Sequence, residues 1–280
     1  MTKALLQEFI DHALNEDLGD GDHSSLACIP DTAAGKARLL VKESGVLAGM
    51  EIAPLVFHTL QADLQFTPFL KDGDLIKPGD IAFTVEGKTR TLLQAERLVL
   101  NIMQRMSGIA TRTREYATRI ADLKTKVLDT RKTTPGMRWL EKEAVRIGGG
   151  VNHRMGLYDM IMLKDNHIDF AGGIEKAIKA TQAYLKKSGR SLKIEIEVRN
   201  MDELEQVMQT GGVDRILIDN FSPELTQQAV ARIAGRYETE SSGGITLERL
   251  RDYALTGVDY ISVGALTHHI KSLDLSLKAY

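Results

Sequence analysis

"LKIEIEVRNMDELEQVMQTGGVDRILID", residues 192 to 219, holds two short apolar runs separated by an amphipathic stretch and a pair of glycines. The first run, "LKIEIEV", passes into a charged cluster, and the second, "DRILID", ends at Asp219-Asn220. Between them "MDELEQVM" spaces its apolar residues for one face of a helix. The stretch therefore reads as strand, helix, strand, and repeated right-handed units of this kind build either an open doubly wound sheet or a barrel.

The same rhythm extends in both directions. Upstream lie "KVLDT" near 128 and "MIMLK" near 162; downstream lie "RYETES" near 238 and "DYISVG" near 261. The last four runs recur about every 22 residues, the length of one strand, one helix and two short loops. No Gly-x-Gly-x-x-Gly follows the first strand, so a dinucleotide fold is not favoured. The repeating region covers about 155 residues, short of the roughly 250 of a full eight-stranded ring. We therefore expect an α/β fold built on a barrel with fewer than eight strands.

The N-terminal part has a different texture. Leu5, Leu6, Phe9, Ile10, Ala13 and Leu14 share one helical stripe, which ends in "EDLGDGDHSS". From about 36 to 90, β-like runs "ARLLVKE", "LQFTPFL" and "DIAFTVEG" alternate with "KDGD" and "KPGD" turns around a helix at "EIAPLVFHTL". Residues 91 to 122 read as a long helical stretch broken at Ser107-Gly108. The expected division is an α+β domain over 1–112, joined by the tail 268–280, and the barrel over 113–267.

Composition narrows the functions. The 280 residues are 43% hydrophobic and 5% aromatic, with 36 Lys and Arg against 38 Asp and Glu. No global positive field exists to hold nucleic acid or an anionic membrane, so neither is an expected partner. Cys28 is the only cysteine, which excludes an intrachain disulfide and multi-cysteine metal sites. The N-terminal stretch has acids within its apolar periodicity and lacks a signal-peptide core, and no run approaches the roughly 18 apolar residues of a membrane span. A cytoplasmic protein is expected.

In a βα barrel the active site lies where the strands end. The six exits are Asp129-Thr130-Arg131-Lys132, Lys164-Asp165-Asn166-His167, Glu197, Asp219-Asn220, Ser242-Gly243-Gly244 and Gly264-Ala265. Cations come first, carboxylates next and glycine turns last. Glycine turns after late strands expose N–H groups suited to a phosphate. Glu197 and Asp219 suit Mg²⁺, which binds through one or two carboxylates together with substrate phosphate oxygens. Arg131, Lys132, Arg138, His153, Arg154 and Lys164 would form a cationic wall for a substrate with several negative charges, since guanidinium forks match carboxylates and phosphates. The glycines at 148–150 are expected to let the backbone approach the ligand. Lys142 and Arg146, spaced with Glu141 and Glu143, read as a solvated helix face.

Taken together, "DTRKTTPGMR", "GGGVNHRMGLYDMIMLKDNH", "IEIEV", "LIDNF", "SSGGIT" and "ISVGALTH" closely resemble the quinolinate phosphoribosyltransferases of NAD synthesis. The resemblance extends over nearly the whole chain, including "AERLVLNIMQRMSGIAT" and the terminal "LDLSLK". It implies an N-terminal α/β sandwich, an incomplete barrel of about seven strands, and a homodimer with sites shared between subunits. It also implies that Arg131, Arg154, Lys132 and Lys164, with Thr130 and His153 close by, hold the quinolinate carboxylates, and that Arg97 reaches in from the partner subunit. Glu197 and Asp219 would place phosphoribosyl pyrophosphate around Mg²⁺ and the ribose hydroxyls. Ser242, Gly243, Gly244, Val263, Gly264, Ala265 and His268 would hold its 5′-phosphate. Lys132, Lys164, Glu197 and Asp219 would carry the chemical step. The implied products are nicotinate mononucleotide, pyrophosphate and CO2. Two rivals remain at this stage: a related enzyme acting on another carboxylated heteroaromatic, and a non-catalytic sensor of a phosphorylated metabolite.

Overall fold

The computed structural model describes residues 3–280. From the N-terminus the chain forms α1 (Lys3–Leu18), α2 (His23–Cys28), β1 (Ala34–Val41), β2 (Gly45–Val46), α3 (Ala53–Leu60) and β3 (Gln65–Pro68). Next come β4 (Leu75–Ile76), β5 (Ile81–Lys88), the long α4 (Thr89–Arg119), β6 (Lys126–Leu128), α5 (Arg138–Ile147) and β7 (Ile161–Leu163). The remaining elements are α6 (Asp165–Ala171), α7 (Ile174–Ser188), β8 (Ile194–Val198), α8 (Met201–Thr210), β9 (Arg215–Asp219) and α9 (Pro223–Ile233). The chain closes with β10 (Glu238–Ser242), α10 (Leu250–Ala254), β11 (Tyr260–Ser262), α11 (Ala265–His268) and β12 (Leu275–Ala279).

Two compact units result. The first takes the chain up to Arg114 together with Thr133–Gly149 and Thr267–Tyr280; the second takes Glu115–Lys132 and Gly150–Leu266. The stretch 133–149, which the sequence reading counts with the barrel, thus packs with the first unit. One cause is ionic: Glu141 of α5 is fully buried and takes the Arg105 guanidinium of α4 at 2.7 Å.

The first unit is built on an antiparallel sheet of order β12-β1-β5-β3. The C-terminal strand pairs with β1 from Ala37↔Ala279 to Val41↔Leu275. Ala37, Leu39 and Val41 alternate inward with the period of a half-buried strand. Phe57 of α3 and Phe66 and Phe83 of the sheet share one aromatic cluster, with Phe66 and Phe83 centroids 4.5 Å apart. The expected break at Ser107-Gly108 is absent, because α4 runs unbroken through it. The pair serves packing instead. A Cβ on Gly108 would lie 2.2 Å from the Lys271 carbonyl oxygen, so only glycine lets the tail pass. The Ser107 hydroxyl accepts the Ala48 N–H at 2.9 Å.

The second unit holds six parallel strands in the order β6-β11-β10-β9-β8-β7. Beyond β6, Val151 makes a parallel bridge to Leu128, so seven positions follow one another and the ring stays open between Val151 and β7. Ile194, Ile196 and Val198 of β8 and Ile216 and Ile218 of β9 point outward into a core shared with α7, α8 and α9. That core includes Ile178, Leu204, Val207, Ala229 and Ile233, and full burial of each Ile or Leu contributes on the order of 1.5–3 kcal/mol. Strand alternation therefore turns Glu195 and Glu197 to the inside of the ring. The turns between strands and helices are capped by side chains: Asn200 accepts the Glu203 N–H at 2.9 Å and Ser222 the Leu225 N–H at 3.2 Å, with Pro223 opening α9.

Candidate active site

Parallel register aligns the strand ends. Leu163 pairs with Ile196, Ser242 with Asp219 and Ser262 with Leu128. The residues that follow these positions therefore share one rim of the second unit, the C-terminal end of the strands. Thr130, Arg131 and Lys132 leave β6, and His153 and Arg154 follow the Val151 bridge. Lys164 follows β7, Glu197 is the penultimate residue of β8, and Asp219 and Ser242 end β9 and β10. Val263, Gly264 and Ala265 follow β11.

Contacts link neighbouring exits around the rim. Lys164 Nζ lies 3.9 Å from Glu197 Oε2. Burial, reinforced by the charge of Asp219, pushes the Glu197 carboxyl above its ordinary range, and Lys164 offsets only part of this. Asp219 accepts the Ser242 hydroxyl at 2.5 Å and the Asn220 side-chain amide at 2.6 Å. Asn220 itself holds a left-handed backbone, φ 57°, and its N–H donates to the Ser242 carbonyl at 3.0 Å. Gly243 has φ 103°, and a Cβ there would fall 2.2 Å from Asn220 Oδ1. The β9 and β10 exits are thus interlocked turns that leave no room for a side chain at Gly243.

On the cationic side, burial and the neighbouring Arg131 guanidinium both depress Arg154 from its ordinary value. Two guanidiniums crowding one another form a site that an anion relieves. Arg154 also donates to the Met160 carbonyl at 3.2 Å, while Arg131 and Lys132 are exposed at the rim. The Lys132 N–H donates to Thr130 Oγ1 at 3.1 Å. Asp129, fully buried, ties the two arginine-bearing loops together by accepting the His153 N–H at 2.8 Å and the Asn152 amide at 2.6 Å.

His153 faces inward. Its Nε2 lies 3.0 Å from Glu195 Oε2 and 3.3 Å from Glu240 Oε2, and its Nδ1 accepts the Arg154 N–H at 2.7 Å. Burial opposes a second proton on the ring, but the two carboxylates outweigh it and raise the ring to about 9. The Arg154 N–H occupies Nδ1, so a proton placed on that nitrogen would cost this bond. Nε2 faces the two carboxylates. Burial, with the charge of Glu240, pushes Glu195 upward, whereas His153 and Arg215 hold Glu240 low against its own burial.

Three further expected residues fall in the other compact unit. Arg97, Arg138 and His268 belong to the first unit. Arg97 is exposed on α4, Arg138 bonds Thr133 Oγ1 at 3.0 Å, and exposed His268 packs edge-on against His269. Two expectations are corrected. Lys142 is 1% exposed rather than solvated, and Glu141 is buried with it, so only the Glu143–Arg146 pair forms the solvated face. Gly148 serves helix packing rather than the ligand, since a Cβ there would lie 2.5 Å from the Ala110 carbonyl. Sequence reasoning missed Glu195, Arg215 and Glu240. The available signal was the acid two residues before Glu197 in "IEIEV", which strand alternation places on the same inner face.

Glu197 and Asp219 fit a divalent cation: both are hard oxygen donors, and their mutual repulsion is only partly offset by Lys164.

The ring and its rim define an incomplete α/β barrel with anion-binding groups at its C-terminal face. Residues 22–107 match the quinolinate phosphoribosyl transferase N-terminal domain and residues 109–278 the corresponding C-terminal domain. Quinolinate phosphoribosyltransferase [decarboxylating] 1b of Nicotiana tabacum is 43% identical over 98% of this chain and 82% of that protein. A probable nicotinate-nucleotide pyrophosphorylase [carboxylating] of Bacillus subtilis is 42% identical over 99% of this chain and 94% of its own length. The crystal structure of NadC from Streptococcus pyogenes superposes with a TM-score of 0.93 at 41% identity, covering 99% of this chain and 97% of that one. The chain belongs to the quinolinate phosphoribosyltransferase family.

Proposed function

We propose that the C-terminal rim of the barrel joins quinolinate to phosphoribosyl pyrophosphate and releases pyrophosphate and CO2, forming nicotinate mononucleotide. The observation that carries this reading is the arrangement of the Arg131–Arg154 pair and the Lys164–Glu197–Asp219–Ser242 chain on one rim. Two polyanions have to meet there. At 4 Å, opposite unit charges attract by about 4 kcal/mol at an effective dielectric near 20, so a few Arg and Lys contacts offset the repulsion between the substrates.

Arg131 and Arg154 grip the adjacent carboxylates through their forks, and Lys132 and Lys164 add point charges. This turns the ring nitrogen toward the anomeric carbon. The nitrogen carries no proton, so its attack needs no general base. The nitrogen–carbon bond forms as the bond to pyrophosphate breaks. Glu197 and Asp219 face the positive charge developing on the ribose. The interlocked Ser242-Gly243-Gly244 turn and the Val263-Gly264-Ala265 turn hold the 5′-phosphate. The quaternised ring then takes the electron pair released when the neighbouring carboxylate leaves as CO2, and the vacated carbon takes up a proton.

Glu197 and Asp219 would hold Mg²⁺, which neutralises charge on a leaving pyrophosphate. The working form we propose is a homodimer in which Arg97 completes the partner's site. Exposed Leu93, one helical turn from Arg97 on α4, supports that face as the contact. We place the protein in the cytoplasm on the single cysteine; several plant relatives carry mitochondrial or chloroplastic names. Among the described residues, no helix is long and apolar enough to cross a membrane.

Purified protein given phosphoribosyl pyrophosphate and Mg²⁺ tests the reading. Quinolinate should yield one CO2 for each pyrophosphate, and nicotinate should yield neither. Equal turnover of nicotinate, or binding without pyrophosphate release, would replace the proposal by one of its rivals.

A further inference from the structure

Charged residues fill the barrel interior beneath the rim, where branched apolar side chains are usual. Glu195, Glu240 and His153 are buried with their ligating atoms within 4.8 Å of one another. That spacing also suits a metal ion, but the chain supplies its own cation. Arg215 NH1 lies 3.1 Å from Glu240 and 3.9 Å from Glu195, and the Arg215 guanidinium stacks 4.3 Å from the centroid of the Tyr260 ring. Arg215 continues outward to Glu238 at 3.0 Å, and Glu238 to Lys193 at 3.4 Å. The guanidinium and the imidazole between them face both carboxylates.

The inner end of this column bears on the rim through a single ring. Glu195 and Glu240 clamp His153 Nε2, and His153 Nδ1 holds the N–H of Arg154. The N–H of Arg154 is therefore held by the His153 ring, and the N–H of His153 by Asp129. With both ring nitrogens engaged, His153 acts on Arg154 and does not reach the ligand through them.

We propose that Glu195, Glu240 and Arg215 form a buried positioning network that, through His153, sets where the Arg154 guanidinium meets the aromatic dicarboxylate. The proposal rests on the reading of this rim as the quinolinate site. Their link to the rim runs through His153 to Arg154, so the effect expected of them falls on the substrate that Arg154 holds.

The test is the near-isosteric Glu240→Gln, assayed for both substrates. The KM for quinolinate should rise tenfold or more, while the KM for phosphoribosyl pyrophosphate stays within twofold and kcat within threefold. Glu195→Gln should reproduce the pattern. Glu238→Gln, which alters the same column at its outer end without reaching His153, should leave both KM values unchanged. A proportional rise in both KM values, or no rise in either, overturns the proposal. So does a divalent metal that copurifies with the wild type and is lost from Glu240→Gln. Should neither inner variant fold, ¹⁵N spectra of the wild type carry the test: His153 should show a protonated Nε2 and an accepting Nδ1, and Nδ1 should respond to quinolinate. A freely titrating ring with no response refutes the network. An inactive wild type would refute the functional reading, whereas an active wild type with an indifferent Glu240→Gln refutes only this inference.

Discussion

Replacing Gly243 by alanine adds one methyl group at the junction of two strand exits. It would lie 2.2 Å from Asn220 Oδ1, 2.6 Å from Cγ and 2.9 Å from the Asn220 Cα. The amide can swing aside, but it then gives up its 2.6 Å bond to Asp219, worth about 1.5–3 kcal/mol for a charged acceptor. The Cα cannot swing. Carbon contacts settle at about 3.5–4.0 Å, so the Asn220 backbone has to retreat by more than about half an ångström. The φ of 103° adds about 1–3 kcal/mol of strain for a residue with a Cβ. Together these give a loss of about 3–5 kcal/mol, and a melting temperature lower by about 6–20 °C. Because Asp219 and the phosphate turn move together, the KM for phosphoribosyl pyrophosphate should rise at least about a hundredfold, with quinolinate binding nearly unchanged. Calorimetric melting and steady-state kinetics read both effects. Wild-type melting together with an unaltered KM for phosphoribosyl pyrophosphate would refute the reasoning.

Arg131→Lys keeps the charge but removes the fork, so the KM for quinolinate should rise about 10- to 100-fold at little cost in stability; unchanged affinity and turnover would remove Arg131 from the site. Glu197→Gln relieves a buried carboxylate whose pKa is raised, first by burial and then by Asp219, so it should raise the melting temperature at neutral pH by a few degrees while abolishing turnover. The sign is fixed by linkage: a carboxyl raised in the folded state destabilises once ionised, so the gain should appear above its pKa and vanish at acid pH. In the wild type, Mg²⁺ affinity followed by calorimetry should fall on acidification at a higher pH than an ordinary glutamate would give. Gly108→Ala drives a methyl into the Lys271 carbonyl and should leave little folded protein, as judged by soluble yield and circular dichroism. A stable Gly108→Ala would mean that the tail does not pack on α4 as described.

The barrel was legible because its signal is local and repeated. Each of the runs near 128, 162, 195, 216, 238 and 261 is a strand, and the polar residues that end them fall on one rim because parallel register aligns strand ends. The misreadings share a cause. Ser107-Gly108 and Gly148 look like flexible punctuation, yet each glycine is required by a neighbour distant in sequence, Lys271 in one case and Ala110 in the other. Glu141 looks solvated by helical spacing, and its burial depends on Arg105, 36 residues away. Glu195, Arg215 and Glu240 read as ordinary strand polarity until the ring brings their partners within reach. Periodicity reports which face a residue shares; it does not report which charge waits on the other side.

A crystal structure of the chain with quinolinate tests the central claim most directly. The expected result is the pyridine ring at the C-terminal rim of the barrel, with its carboxylates on Arg131 and Arg154 and its nitrogen turned toward Glu197 and Asp219. Quinolinate bound at any other face, or at the rim with Arg131 and Arg154 turned away, would contradict the account.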